Sequence, residues 1–405
     1  MNNKTWTKNR HADGKDKVGR LIKLLTFGLL SIGLVTTASA GPREQAKRIH
    51  DRLAGVPATE TVLSAMEAQV SGQTGSAVDA AYAAMDNPNF YNVTLKNFAA
   101  PWTNRDQNVF VPLNDYIATV IGMIRDGEPF NTLFSADILY IGPGSLPSYS
   151  NSDNNHYEQM EAGGVDMMTG LQRVNQSTFN GLPSAATAGV WTTRAAAEAF
   201  FIAGTNRAQF RFTMLNHMCN DMEQVHDVKR TPDRIRQDVS RSPGGDSRLF
   251  LNNCIGCHSG MDPLAGAFAY YNFNETTQSI EYSPGVVQPK YFNNDTNFEF
   301  GYRTTDDSWA NYWRDGQNQF LGWNTTGGPG STGSGTGAAS MGEELANSDA
   351  FARCQVKKVF RAVCLREPEN LADRTQVDNV MVPSFRAGYQ MKQTFAEAAV
   401  YCMGQ

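Results

Sequence analysis

Cys254-Ile255-Gly256-Cys257-His258 is the stretch on which the reading of this chain turns. It fits the pattern C-x-x-C-H, in which two thiols add across the vinyl groups of a haem and the adjacent histidine is delivered to the iron. The spacing follows from the chemistry: cysteines three apart reach two vinyls on one edge of the ring, and the next residue places an imidazole under the metal. With six cysteines and six histidines in 405 residues, chance yields the pattern on the order of once per thousand such chains. Two rival readings use the same residues. A thioredoxin-like dithiol wants a strand-to-helix setting that Asn252, Asn253, Ser259 and Gly260 do not suggest. A zinc site wants a fourth ligand near Cys254, Cys257 and His258, and no second Cys or His pair stands at ligand spacing. One covalent haem c is therefore the expected cofactor, with His258 as its proximal ligand.

The residues after the motif continue Ser259-Gly260-Met261-Asp262-Pro263-Leu264. The whole segment resembles the C-x-x-C-H-x-x-x-D-P-L haem segment of large exported bacterial cytochrome c-like proteins, whose function is largely uncharacterised. The resemblance extends to Ala46-Lys47-Arg48-Ile49-His50-Asp51-Arg52-Leu53-Ala54-Gly55. It also takes in Phe360-Arg361-Ala362-Val363-Cys364-Leu365-Arg366-Glu367-Pro368, which is similar to that family's Y-A-L-G-R stretch. It covers about half the mature chain, and only the haem motif in it is specific. It implies haem binding and electron transfer and names no substrate; the chain departs from the family in lacking a recognisable catalytic partner domain. In local terms Asp262 followed by Pro263 reads as an N-cap and first helical residue, so a short helix is expected to start just past the haem, with Asp262 structural. Met261 would lie on the proximal side of the ring.

The start of the chain agrees with that chemistry. Basic residues (Lys4, Lys8, Arg10, Lys15, Lys17, Arg20, Lys23) precede an apolar run from Leu24 to Val35 and then Ala38-Ser39-Ala40. That order is a secretory signal peptide with an A-x-A cleavage site. Residues 1–40 are therefore expected to be removed, giving a periplasmic or secreted bacterial protein after Sec-type export. A run of 12 residues is too short for the roughly 20 of a spanning helix, and no other segment is apolar enough, so no membrane span is expected after cleavage. The remaining chain holds 28 basic and 38 acidic residues, a net charge of −10. Nucleic acid is thus a poor partner and a basic redox partner protein, of unknown identity, a better one.

In an oxidising compartment the four cysteines outside the motif, Cys219, Cys354, Cys364 and Cys402, are expected to form two disulfides. If the helix around Val356 packs antiparallel to the last helix, Cys354 pairs with Cys402 and Cys219 with Cys364. Pro57, Gly72 to Gly75, Pro88 and Pro101 punctuate expected helices over 43–53, 59–70, 77–85, 90–99 and 113–125, with Thr59 as an N-cap. Residues 129–190 read as loop-rich connection. A helical pattern returns over 191–222, with Asn206 as a cap and Phe212, Leu215, Cys219 and Met222 on one face. Residues 270–325 read as short strands or ordered loops, and 326–340 as a low-complexity loop. Val356, Val359, Phe360 and Val363, then Met391, Phe395, Ala398 and Cys402, mark two closing amphipathic helices. The expected fold is mainly α, with a helical domain over 41–190 and a cytochrome c-like haem domain with long irregular insertions over 191–405.

For the sixth position of the iron two residues compete. Met341 stands after the 326–340 loop and before a closing helix, the place from which small c-type cytochromes supply a thioether. Its alternative is a hydrophobic plug at a helix start. His217 is the other contender, weighed against an ordinary helix histidine. Arg241 and Arg248 are candidate partners of haem propionates or of Asp238 and Asp246. Asn293, Asp295 and Asn297 lack the Gly and Glu of a calcium loop, and Glu343-Glu344 reads as helix-start charge. The expected function is electron transfer. The other classes are a haem enzyme of peroxidase or oxygenase type, with an open sixth position, and an envelope assembly module that uses haem for folding.

Overall fold

Side-chain caps set the ends of the first helices. In the computed structural model, which describes residues 40–202, 205–230, 234, 248, 250–291 and 302–404, α1 (Pro42–Ala54) is followed by α2 (Glu60–Val70), where Thr59 accepts from the Val62 amide. α3 (Ala77–Met85) starts with a reciprocal pair in which Ser76 and Asp79 satisfy each other's backbone N–H. A π-helical segment, Phe90–Leu95, runs into the short α4 (Lys96–Ala99). α5 (Asp115–Asp126) is capped by Asn114 and stopped by Gly127 at φ 68°, a left-handed conformation that glycine adopts without steric cost. Every residue from Asp115 to Ile124 is buried, so α5 is the central helix of this half.

The stretch expected to be loop-rich contains a two-stranded antiparallel ribbon, β1 (Leu139–Ile141) with β2 (Gln172–Val174), enclosing α6 (Asn155–Ala162) and α7 (Met167–Gly170). The expected helix over 191–222 is two helices, α8 (Arg194–Phe200) and α9 (Arg207–His217). Asn206, at φ 57°, does not cap α9 with its side chain; its amide donates to the carbonyls of Phe268 and Tyr271, both at 2.8 Å. The buried face of α9 is Phe210, Thr213, Met214 and His217, so the stripe through Phe212 and Leu215 is half-exposed instead. Then come α10 (Ile255–Ala265), the hairpin β3 (Tyr271–Asn274) with β4 (Ser279–Tyr282), and β5 (Ser308–Ala310) paired with β6 (Ser334–Thr336). The chain closes with α11 (Ala338–Ala346), α12 (Asp349–Cys364), α13 (Leu371–Thr375), α14 (Val382–Gly388) and α15 (Met391–Tyr401). The fold is mainly helical.

Residues 42–404 form one compact unit. The closing helices share the core of the opening ones: Phe395 of α15 meets Phe90 and Phe98 edge-on, each at 5.3 Å between centroids. Arg52 donates to the Val363 carbonyl and Tyr82 to Gln393. Val356, Val359, Phe360 and Val363 are all fully buried, as their spacing implied. Among the described residues no helix is long and apolar enough to cross a membrane.

The disulfides join Cys219 to Cys354 and Cys364 to Cys402, with Cα separations of 5.3 and 5.5 Å. The expected pairing, Cys354 with Cys402, rested on antiparallel packing of α12 and α15. The intervening residues 371–388 instead carry the chain back, so that Arg386 at the end of α14 forms an ion pair with Asp349 at the start of α12. α15 therefore sets out from the start of α12 and their C-terminal ends meet. Glu344 also departs from expectation. It is fully buried inside α11, bonded to Asn311 and held by both Arg314 nitrogens at 2.8 and 2.6 Å.

Candidate functional site

The C-x-x-C-H residues open a helix. A π-helical turn, Phe250–Cys254, leads into α10, and at 3.6 residues per turn Cys254, Cys257, His258 and Met261 fall on one side. Gly256 and Gly260 fall on the opposite side, and their lack of a side chain is required. A Cβ at Gly256 would stand 2.1 Å from Nε2 of His226, and one at Gly260 would stand 2.0 Å from Nε1 of the fully buried Trp313. The helix thus lies directly on these two rings. The Asp227 amide donates to the Gly256 carbonyl at 2.9 Å, and the Ser259 hydroxyl donates to the Asp227 carbonyl at 3.2 Å. The back of the motif is held rigidly while its cysteines remain partly exposed.

Cys254 and Cys257 are free thiols in a chain whose four other cysteines are oxidised. The Cys257 sulfur donates to the Met222 carbonyl at 3.5 Å. Burial, with Glu223 and Asp221 nearby, pushes its thiol above the usual range, so this thiol is not set up as a thiolate nucleophile.

His258 is fixed by a carboxylate one turn along its own helix. Nδ1 lies 3.0 and 3.1 Å from the two oxygens of Asp262, whose side chain is 0% exposed. Arg207 of α9 donates through Nε to the same carboxylate at 2.9 Å. A carboxylate only accepts, so Nδ1 carries the hydrogen and the lone pair belongs to Nε2. This is the arrangement in which metal-ligating histidines are oriented and made more basic.

Asp262 was expected to cap a new helix, but α10 runs through it with Pro263 inside the helix. Pro263 stands two residues before the end of α10, and Asp262, inside the helix instead of at its N-cap, turns to His258. Sequence reading missed both Asp262 and Arg207 as site residues. The i, i+4 spacing of His258 and Asp262 on a helix was the available signal.

The other candidates fall in different places. Met341 is fully buried in the first turn of α11, within the hydrophobic core, rather than at the end of a loop. His217 is buried between Trp102 and Phe134, with Nε2 2.8 Å from the Tyr116 hydroxyl and Nδ1 3.4 Å from the Gln355 amide nitrogen. Burial and the neighbouring Lys358 cation hold its imidazole well below the usual pKa. Arg248 is exposed. Residues 1–39 of the expected signal peptide, Arg241, and Asn293, Asp295 and Asn297 lie outside the described residues. Among the described residues, no group of three or more His, Cys, Asp or Glu side chains is placed to hold a metal ion between them.

No protein-family model matches the chain, and searches of curated proteins and of solved structures return no significant match.

Proposed function

We propose that the chain is an exported, periplasmic or secreted, mono-haem c-type cytochrome in which Cys254 and Cys257 tether haem c and His258 is the proximal ligand, with Met341 as the distal ligand, which would have to leave the core at the start of α11 to reach the iron. One observation carries the reading. Of six cysteines, four are used up in disulfides, and the two that are not stand one turn apart beside a histidine whose Nδ1 is held by a buried carboxylate. The donor set therefore fits the group: two thiols for two thioether bonds and one imidazole of fixed tautomer. Bound haem would supply one-electron redox chemistry at iron. Asp262 and Arg207 would orient the imidazole, and the glycine-backed packing of α10 on Trp313 and His226 would keep the attachment helix from moving. On this reading residues 191–405 make a cytochrome c-like haem domain within the larger helical unit, and its partner is a redox protein with a basic docking face.

A second reading, a haem enzyme, is favoured by the Asp262 contact, because a carboxylate on the proximal imidazole makes that ligand more electron-donating. Addition of carbon monoxide and hydrogen peroxide to the purified protein separates the two. A six-coordinate low-spin haem that ignores both supports the electron carrier; rapid binding of either to the resting protein overturns it in favour of the enzyme.

A further inference from the structure

Away from the motif helix, a cavity of about 550 Å³ opens between the segment around Trp102, the end of α9 and the last turns of α12. Its volume falls in the range of roughly 300–1,000 Å³ typical of small-molecule sites. Phe98 and Trp102 form an aromatic wall, the Gln107 amide donates to the Asn216 side-chain oxygen at 2.6 Å, and Lys358 enters from α12.

The position of Lys358 is the unusual feature. Its Nζ sits 3.4 Å above the centre of the Trp102 ring and 5.7 Å from that of Phe98, and donates to the Asn216 carbonyl at 2.7 Å. No carboxylate among the described residues pairs with it. The one carboxylate among the lining residues, Asp221, is held in a two-pronged pair by Arg211 at 2.9 and 2.7 Å. The nearby Arg361 adds positive charge and has its own partner in Glu367. Lys358 is half-buried at the edge of the cavity, and a partly desolvated cation is stabilised by an anionic partner. Burial and Arg361 push the Lys358 amine well below the usual lysine range, a penalty that an arriving anion would relieve.

We propose that this cavity binds a small organic acid with a flat aromatic or unsaturated body, its carboxylate on the Lys358 ammonium and its ring against Phe98. Apolar contact with Phe98, Pro101 and Leu215 would select an organic acid over a compact inorganic anion. The site does not depend on haem, although Asp221 and Gln224 on its rim flank Met222, whose carbonyl receives the Cys257 thiol.

The test is isothermal titration calorimetry of the full chain with benzoate, benzamide and benzylamine. Benzoate should bind at least tenfold more tightly than its neutral isostere benzamide, and benzylamine should not compete. Lys358→Gln, which keeps a donor for the Asn216 carbonyl, should lose that tenfold preference while leaving benzamide binding unchanged; Phe98→Leu should weaken benzoate and benzamide together. Equal binding of benzoate and benzamide by the native chain would overturn the proposal without recourse to any variant. So would no benzoate binding at millimolar concentration, or full benzoate affinity in a folded Lys358→Gln protein.

Discussion

Nδ1 of His258 and the carboxylate of Asp262, 3.0 Å apart one helical turn from each other, form a pair that Arg207 completes from the neighbouring helix. Asp262 is wholly enclosed, whereas His258 keeps about a fifth of its side chain exposed (19%). A carboxylate there makes the imidazole a stronger donor and so favours the oxidised metal. Asp262→Asn should therefore raise the midpoint potential of the haem by about 60 mV, the equivalent of a tenfold change in a one-electron equilibrium. Potentiometric titration checks this, and an unchanged potential would reduce Asp262 to a packing residue. Rescue of the native value by Asp262→Glu would show that the charge, rather than the shape, is responsible.

The assignment of the sixth ligand is tested at two residues. Met341→Ala should abolish a sulfur-to-iron charge-transfer band of the ferric protein and open the haem to carbon monoxide. His217→Ala should leave that band in place, since both imidazole nitrogens already face Tyr116 and Gln355. The reverse outcome would transfer the role to His217.

Disulfide mapping of the oxidised protein should recover Cys219 joined to Cys354 and Cys364 joined to Cys402. The bridges close sequence separations of 135 and 38 residues. Constraint of the unfolded chain makes Cys219→Ser worth about 5 kcal/mol and Cys402→Ser about 4 kcal/mol of stability. Denaturant unfolding of each variant measures the loss, and peptides linking Cys354 to Cys402 would contradict the fold around α12 and α15.

Stability should fall as pH drops below the ordinary histidine value of 6.5. His217 is buried and neutral, its folded pKa is depressed, and the unfolded chain takes up the proton that the folded imidazole refuses. Its contribution is thus fully present above pH 6.5 and is lost as pH falls toward the depressed folded value. The slope of stability against pH between 5 and 6.5 should exceed that of His217→Gln by up to about 1.4 kcal/mol per pH unit, one proton's worth. Parallel slopes for the two proteins would show that His217 takes no part in the acid limb.

Much of this molecule is readable from local chemistry, and the failures have a common cause. Thr59 capping α2, the breaks at Pro57 and Gly72, and the buried stripe from Val356 to Val363 are decided by neighbours in sequence. The C-x-x-C-H motif is legible in the same way, being a contiguous pattern, although the helix expected to start at Asp262 already begins at Ile255. What escaped depends on where distant segments lie. The cysteine pairing turned on the return path of residues 371–388, and the buried face of α9 on which side the core occupies. Likewise Glu344 is buried because Arg314 and Asn311 meet it across thirty residues of chain. Asp262 escaped because Asp followed by Pro reads locally as a cap; only the continuity of α10 through Pro263 turns it toward His258.

The central claim is covalent haem at Cys254 and Cys257. Its most direct test is the intact mass of the denatured native protein, expressed with export and cytochrome c maturation in place, read beside its reduced spectrum in alkaline pyridine. The account predicts a mass above the apoprotein by one haem, a c-type spectrum, and loss of denaturation-resistant haem in Cys257→Ala. Haem fully extractable from the native chain, or a native chain matured under those conditions with no added mass, would contradict it.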